Sequence, residues 1–428
     1  MSVIAGIEVH DVRFPTSRGL HGSDAMNAAP DYAASYLELR VSDGRTGQAL
    51  VFTLGDGNAV QVGAVRVVAE ALIGADVDAL LDDLGGTSRS LVSRSEFRWL
   101  GPEKGVIHMA VGACVNALFD LASKRRGLPL WEYLALLPPE EVVALVDFRY
   151  LSDALTAPEA LKMLRAGAIG REARIAEMRT SGYPAYTTSA GWLGYSDQTV
   201  MRLCRKAVDD GFDFLKLKVG SSAESDRRRC RLVRDLVGPD VAVAVDANQV
   251  WDVEESIIRI HELSEYGLAW VEEPTSPDDI LGLRTIREAV RPVPIACGEH
   301  VANRVIWKQL FQASAVDVAQ IDACRVGGVP EEIAILLLAA KCGVPVCPHA
   351  GGVGLCEIVQ HLSFFDYASV SGTVEGRRIE WIDHLHEHFV SPAAVRAGRY
   401  EPPSAPGSSA AMLPSSLREF SFGGRGPG

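Results

Sequence analysis

Ionisable residues recur at a near-constant interval through the second half of the chain. Lys216 and Lys218 come first, then Asp246, Glu272, Glu299, Asp322 and His349, each closing a short apolar run. From Lys218 onward the steps are 28, 26, 27, 23 and 27 residues. Such a step fits one strand plus one helix, and parallel strands so spaced bring their ends to one face of a sheet. One residue of this kind would be an ordinary strand-end charge; a whole set in register points to a shared site. Three carboxylates brought together cannot all stay ionised without a cation. Oxygen-only ligation by Asp246, Glu272 and Glu299, without Cys or His, suits Mg²⁺. In Leu215-Lys216-Leu217-Lys218-Val219 the side chains alternate, so both lysines share one face. Two adjacent ammoniums are expected to disfavour each other's charge, and a nearby cation adds to this, both lowering a lysine pKa toward that of a usable base. Asp322, one strand before His349, would hold the imidazole in one tautomer and support its protonated form. Asn248 has the parity of Asp246 and could approach substrate or metal. Glu273 faces the other way and is the weaker ligand, and His300 reads as a loop neighbour of Glu299. The run His349–Gly354 permits close backbone approach to a ligand.

The elements that must position these groups are short β-rich runs alternating with helix-length segments. The runs are Phe212–Val219, Val241–Val245, Leu268–Val271, Val293–Ala296, Val316–Ile321, Val344–Cys347 and Tyr367–Val370. This many βα units predict a closed parallel barrel or a long doubly wound sheet, placed over residues 182–394. Residues 1–140 read as an α+β domain, with strands at Val3–Phe14, Tyr36–Val41 and Ala49–Leu54 and helices at Gln61–Ala75 and Lys104–Lys124. A helical connection extends to about residue 181. The Pro-, Gly- and Ser-rich tail 395–428 is expected to pack back on the first domain or to fray.

Composition narrows the function classes. The 428 residues are 47% hydrophobic and 23% charged, ordinary for a folded globular chain. The net charge of −13, with no basic stripe, disfavours nucleic acid as a partner. No uncharged apolar run is read as a membrane span; Ile333–Ala340 is taken as the longest. The N-terminal stretch lacks a basic region and is broken by Glu8, so no signal peptide is expected. Eight cysteines without a CxxC pair read as buried thiols of a reducing compartment, and the expected location is the cytoplasm. No Walker-type loop occurs, and Gly352-Val353-Gly354 lacks the rest of a dinucleotide fingerprint. His384-Leu385-His386-Glu387-His388 imitates a metal cluster, but it falls after the last expected strand. It is read as a helical segment with surface or packing histidines.

The order Lys-x-Lys, Asp246, Glu272, Glu299, then an Asp–His pair resembles the mandelate racemase group of the enolase superfamily. Such sites use a Lys or His base with one or two Mg²⁺. The strings VDANQVWD, WVEEPTSPDDILG, CPHAGGVGLCEIVQHL, HLHEHF, HGSDAMN and PDYAASY are similar to those of L-fuconate dehydratases, and the likeness runs to about residue 400. Cys297 departs from the threonine that family often carries, outside the chemical set. The resemblance implies an α/β fold, a modified (β/α)7β TIM-like barrel with an N-terminal α+β capping domain. It implies a cap loop, Gly22-Ser23-Asp24 with Tyr32, that closes over a small acid-sugar substrate. By matching position it implies substrate contacts at Lys216, Asn248, Ala350, Gly351 and Glu380. A homo-oligomer is expected.

The expected reaction is Mg²⁺-dependent dehydration of a six-carbon aldonic acid, L-fuconate first, to 2-keto-3-deoxy-L-fuconate and water. Lys218 removes the C2 proton, Lys216 adds positive charge nearby, and His349, oriented by Asp322, protonates the leaving C3 hydroxyl. Another acid-sugar dehydratase or an epimerase is the nearest alternative. A metal-dependent hydrolase is disfavoured because the early strands offer no histidine ligands. A non-catalytic binding protein is disfavoured because it needs no base.

Overall fold

Long strands rich in Val, Leu and Tyr open the chain and pair as an antiparallel sheet. They are β1 (Ile4–Phe14), β2 (Tyr32–Val41) and β3 (Thr46–Leu54), in that order across the sheet. β2 begins four residues before the expected start, because Ala33, Ala34 and Ser35 have weak strand propensity but pair with both neighbours. The sheet packs on helices Gly57–Glu70 and Gly105–Arg125. The computed structural model describes residues 2–423.

Helix Gly105–Arg125, not Ile333–Ala340, is the most extended apolar segment. It is long and apolar enough to cross a membrane, yet 89% of its most apolar window is buried inside the protein. Apolar residues all round are what a helix packed on several sides requires. On one side a Cβ on Gly47 would lie 2.3 Å from the Ala117 carbonyl, so the sheet approaches the helix backbone closely. On another, a Cβ on Gly112 would lie 2.4 Å from the Val326 carbonyl. Asn116 accepts the Val329 N–H at 3.0 Å, and His108 pairs with Glu331 at 2.6 Å. The N-terminal domain is thereby fixed against the loops that carry the site.

Helices between Pro139 and Ser181 lead into the second sheet. Its parallel strands are β4 (Tyr183–Thr187), β5 (Phe214–Lys218), β6 (Ala242–Asp246), β7 (Leu268–Glu272), β8 (Ile295–Cys297) and β9 (Val318–Ala319). They pair in sequence order. Val346 adds a single parallel bridge to β9, and β10 (Ile379–Trp381) returns to pair with β4. The sheet therefore curls until its last strand meets its first. Tyr186, Phe214 and Trp270 fill the interior beneath the site.

The expected strand at Tyr367–Val370 is instead a widened helical turn, Asp366–Ser371, continuing helix Leu355–Phe365. Packing decides this: the Ala368 carbonyl left free by the wider turn accepts Arg174 Nε at 3.1 Å and Nη2 at 2.9 Å. The true last strand, β10, is three residues long and hides behind Arg377-Arg378. Beyond it, β11 (Val395–Arg396) pairs with β12 (Arg399–Tyr400), which pairs antiparallel with β4; Ser421 bridges Val12, and Phe420 packs on Phe14.

His361 pins three parts of the chain together. It is fully buried, its Nδ1 accepts the Trp131 N–H at 3.2 Å, and its Nε2 meets the Ser409 hydroxyl at 3.0 Å. Burial pushes its pKa down to about 3. The unfolded chain therefore takes up a proton below about pH 6.5 that the native state refuses. Stability carried by this neutral ring is full above pH 6.5 and falls by about 1.4 kcal/mol per unit as pH drops toward 3. His361→Asn, which keeps an acceptor for Trp131, should flatten the pH dependence of denaturant midpoints between pH 4.5 and 6.5. An unchanged slope would remove His361 as its source.

Candidate active site

The strand ends of the curled sheet gather the recurring residues as their spacing predicts. Asp246 and Glu272 are paired residues on neighbouring strands, as are Lys218 and Asp246. Asp246, Glu272 and Glu299 each place a carboxylate oxygen within 4.8 Å of the others. All three are buried, and Glu299 Oε2 has no hydrogen-bond partner. Glu272 is steadied by Gln320 Nε2 at 2.6 Å and Trp270 Nε1 at 3.3 Å. Gln320 lies two residues before Asp322, on the same strand parity, a signal that sequence reading passed over.

Charge balance tests whether a cation fits. Lys216 Nζ lies 2.6 Å from Glu272, 2.9 Å from Glu380 and 3.7 Å from Asp246, with no exposed side-chain surface. Lys218 Nζ lies 2.5 Å from Asp246. The four carboxylates Asp246, Glu272, Glu299 and Glu380 thus face two ammoniums, leaving two negative charges for a divalent ion to offset. Burial and the neighbouring Asp246 push Glu272 well above the usual carboxylate range. An orphaned buried oxygen, an oxygen-only donor set and a deficit of two charges all fit Mg²⁺.

The lysines differ from expectation. Burial pulls Lys218 down, but Asp246, together with Glu299 and Asp24, outweighs it and holds the ammonium above its ordinary value. Lys216 is likewise raised, against its own burial, by Glu272 and Glu380. Counting only the two ammoniums omitted carboxylates that neighbouring strands bring within hydrogen-bond distance.

His349 Nδ1 lies 2.8 Å from Asp322 Oδ2, and its Nε2 is 3.6 Å from Glu299 and 3.9 Å from Glu380. Burial opposes the imidazolium, but Glu299 and the Asp322 hydrogen bond raise its pKa to about 9. Asp322 is held below its usual range, against burial, chiefly by the same bond.

A cavity of about 340 Å³ lies over these groups, between the two sheets. Lys218, Glu299, His349, Asn248, Gly351 and Glu380 line it from below; Gly22, Asp24 and Tyr32 line it from the N-terminal domain. Asn248 adopts a left-handed φ of 46° and keeps a buried side-chain oxygen unpartnered. A Cβ on Gly351 would press within 2.9 Å of His349 Nε2, and one on Gly22 within 2.3 Å of the Tyr32 ring. Lys216 is sealed beneath the cavity among its carboxylates, and Ala350 is turned to Glu380, its N–H donating at 2.8 Å. Ser23 does not line the cavity: its hydroxyl donates to the Leu20 carbonyl at 2.7 Å and accepts the Gly194 N–H at 2.9 Å. It fastens the loop to the segment after β4.

The histidine string contributes packing. His386–His388 form a single 3₁₀ turn, not part of a longer helix, because His386 stacks flat on Trp381 and bonds Glu357 at 2.6 Å. His388 packs on Phe14 and Phe420, and His384 lies against His21 and Tyr32. Among the described residues these histidines form no metal-holding group; Glu273, Glu299 and His300 form the one alternative to the acidic trio. Glu273 already accepts the Gln249 amide at 2.7 Å, so the trio is the better site.

Residues 199–415 match the family model described as enolase C-terminal domain-like. Mitochondrial enolase superfamily member 1 of Homo sapiens is 48% identical over 423 residues, 98% of this chain and 96% of that protein. Its crystal structure superposes with a TM-score of 0.97 at 47% identity, covering 98% of this chain and 96% of that one. L-galactonate dehydratase of Hypocrea jecorina is 48% identical over 427 residues, 99% of this chain and 94% of that protein. With the acidic trio, the lysine pair and the Asp–His pair on successive strand ends, these matches show that the chain belongs to the enolase superfamily.

Proposed function

We propose that the protein dehydrates a six-carbon aldonic acid to the 2-keto-3-deoxy acid and water, L-fuconate being the candidate that the sequence strings favour. We read the curled sheet as the modified (β/α)7β barrel and residues 1–140 as its cap. The single observation that carries the reading is one cavity holding an acidic cation trio, a lysine and an aspartate-bound histidine. A second reading, L-galactonate, is favoured by the similarity to L-galactonate dehydratase. The two acids share their configuration and differ by one hydroxyl at C6.

The C–H beside a carboxylate is a very weak acid, so its removal needs positive charge where negative charge develops. Mg²⁺ held by Asp246, Glu272 and Glu299 would supply that charge at the substrate carboxylate. Lys216 is placed to add to it from beneath. Lys218 must first release the proton it shares with Asp246; positive charge on the trio favours that release. Neutral Lys218 Nζ then takes the C2 proton. His349, held protonated by Asp322, donates to the C3 hydroxyl as the C3–O bond breaks, and water leaves. The enol gains a solvent proton at C3 and becomes the keto acid. Asp24, Tyr32 and Asn248 are placed to grip the remaining hydroxyls, which orients C2 against the base.

The test is a screen of aldonic and aldaric acids with Mg²⁺ for keto-acid formation. L-fuconate or L-galactonate should head the ranking. Turnover confined to an unrelated acid would displace the substrate reading, and no keto acid from any of them would displace the dehydratase reading.

A further inference from the structure

We propose that His300 and Arg325 form a second polar subsite of the cavity, which holds an oxygen on the far end of the acid-sugar chain. The proposal rests on the reading above for its substrate class. Both side chains line the cavity. His300 follows β8 and Arg325 follows β9, three and four strands along the curled sheet from β5 and its lysines. This corner therefore stands across the mouth from Lys218, at the seam with helix Gly105–Arg125.

Each residue is held with a donor left over. Gln249 donates through Nε2 to Glu273 at 2.7 Å, which fixes the amide's orientation. The same nitrogen lies 2.8 Å from His300 Nδ1, closer than the Glu273 oxygens at 3.2 and 3.3 Å. With the amide donating to Nδ1, the ring proton sits on Nε2. That atom has no hydrogen bond among the described residues. Gln249 and Glu273 adopt left-handed φ values of 66° and 40°, locked by the Gln249 N–H to Glu273 carbonyl bond of 2.7 Å. Backbone strain at both partners of one ring is what a positioned functional group leaves behind. Arg325 donates through Nε to the Glu299 carbonyl at 3.1 Å and lays Nη1 3.5 Å from Met109 Sδ. Its Nη2 hydrogens have no partner among the described residues.

These two side chains thus offer N–H donors and no acceptor, so a ligand they hold must bring oxygens. A substrate anchored at the acidic trio, with C2 facing Lys218, extends its far carbons beneath the cap. A terminal hydroxyl meets two donors here, one of them on a permanent cation; a terminal methyl leaves both unpaired. L-galactonate should therefore be held more tightly than L-fuconate.

The experiment compares these two acids. Steady-state kcat/KM is measured for wild type, Arg325→Met, His300→Ala and His300→Gln with Mg²⁺. Calorimetric binding without turnover is measured in the Lys218→Ala background. Wild type should favour L-galactonate by about 10- to 100-fold. Arg325→Met and His300→Ala should erase that preference by weakening L-galactonate alone. His300→Gln, which restores a donor near Nε2, should recover part of it. Equal weakening of both acids, equal binding of both by the wild-type subsite, or no binding of either overturns the proposal. A binding preference without any turnover keeps the subsite and removes the dehydratase reading instead.

Discussion

Lys218→Ala protein is expected to lose both dehydration and exchange of the substrate's C2 proton, by about 10⁴-fold, the upper range for a general base. No second base is placed to replace it. Lys216 is sealed beneath the cavity by Glu272 and Glu380. His349 is held protonated by Glu299 and Asp322, and a guanidinium such as Arg325 does not give up its proton. The variant supplies its own folding control. Lys218 contributes positive charge 2.5 Å from Asp246, so removing it should strengthen Mg²⁺ binding or leave it unchanged. Loss of activity with loss of metal binding would mean a damaged site and say nothing for the base. Residual C2–H exchange in a metal-competent variant would assign the base elsewhere.

Chelation is expected to abolish turnover, and added Mg²⁺ to restore it. Without a cation, four buried carboxylates face two ammoniums, and one of them, Glu272, is driven toward its neutral form. The same imbalance should appear in stability. Mg²⁺ at a hundred times its dissociation constant stabilises the folded state by about 2.7 kcal/mol, so the melting temperature should fall in chelator. Glu299→Gln removes one of the three ligand charges and the orphaned oxygen, and should lose most metal affinity together with activity. Full activity in chelator-treated, metal-free protein would falsify the assignment of the trio.

The register of the site was legible because each inward polar residue interrupts an apolar run, and runs of one strand face alternate predictably. Asp246, Glu272 and Glu299 could be picked out that way, and the helix-length gaps between them implied a parallel sheet. What crosses between strands was not legible. The ion pair of Lys216 with Glu380 joins β5 to β10, and β10 shows only three residues of pattern after two arginines. Against burial, Glu272 and Glu380 raise Lys216 while Asp246 on the neighbouring strand raises Lys218, opposite to the direction expected from the two ammoniums alone. Tyr367–Val370 has the composition of a strand but is drawn into a helix end by Arg174, a partner nearly two hundred residues away. Arg325 sits in a loop with no periodicity, and its place in the cavity depends on the contact with Met109 of the N-terminal domain.

The most direct test of the central claim is proton NMR of wild-type protein in D₂O with Mg²⁺ and L-fuconate or L-galactonate. Removal of C2–H by Lys218, loss of the C3 hydroxyl and tautomerisation of the enol predict one outcome. The C2 signal disappears as a 2-keto-3-deoxy acid accumulates, carrying one deuterium at C3. Loss of the C2 signal with the C3 hydroxyl retained would instead indicate an epimerase or racemase on the same residues. An unchanged C2 signal in both acids, with metal bound, would contradict the account.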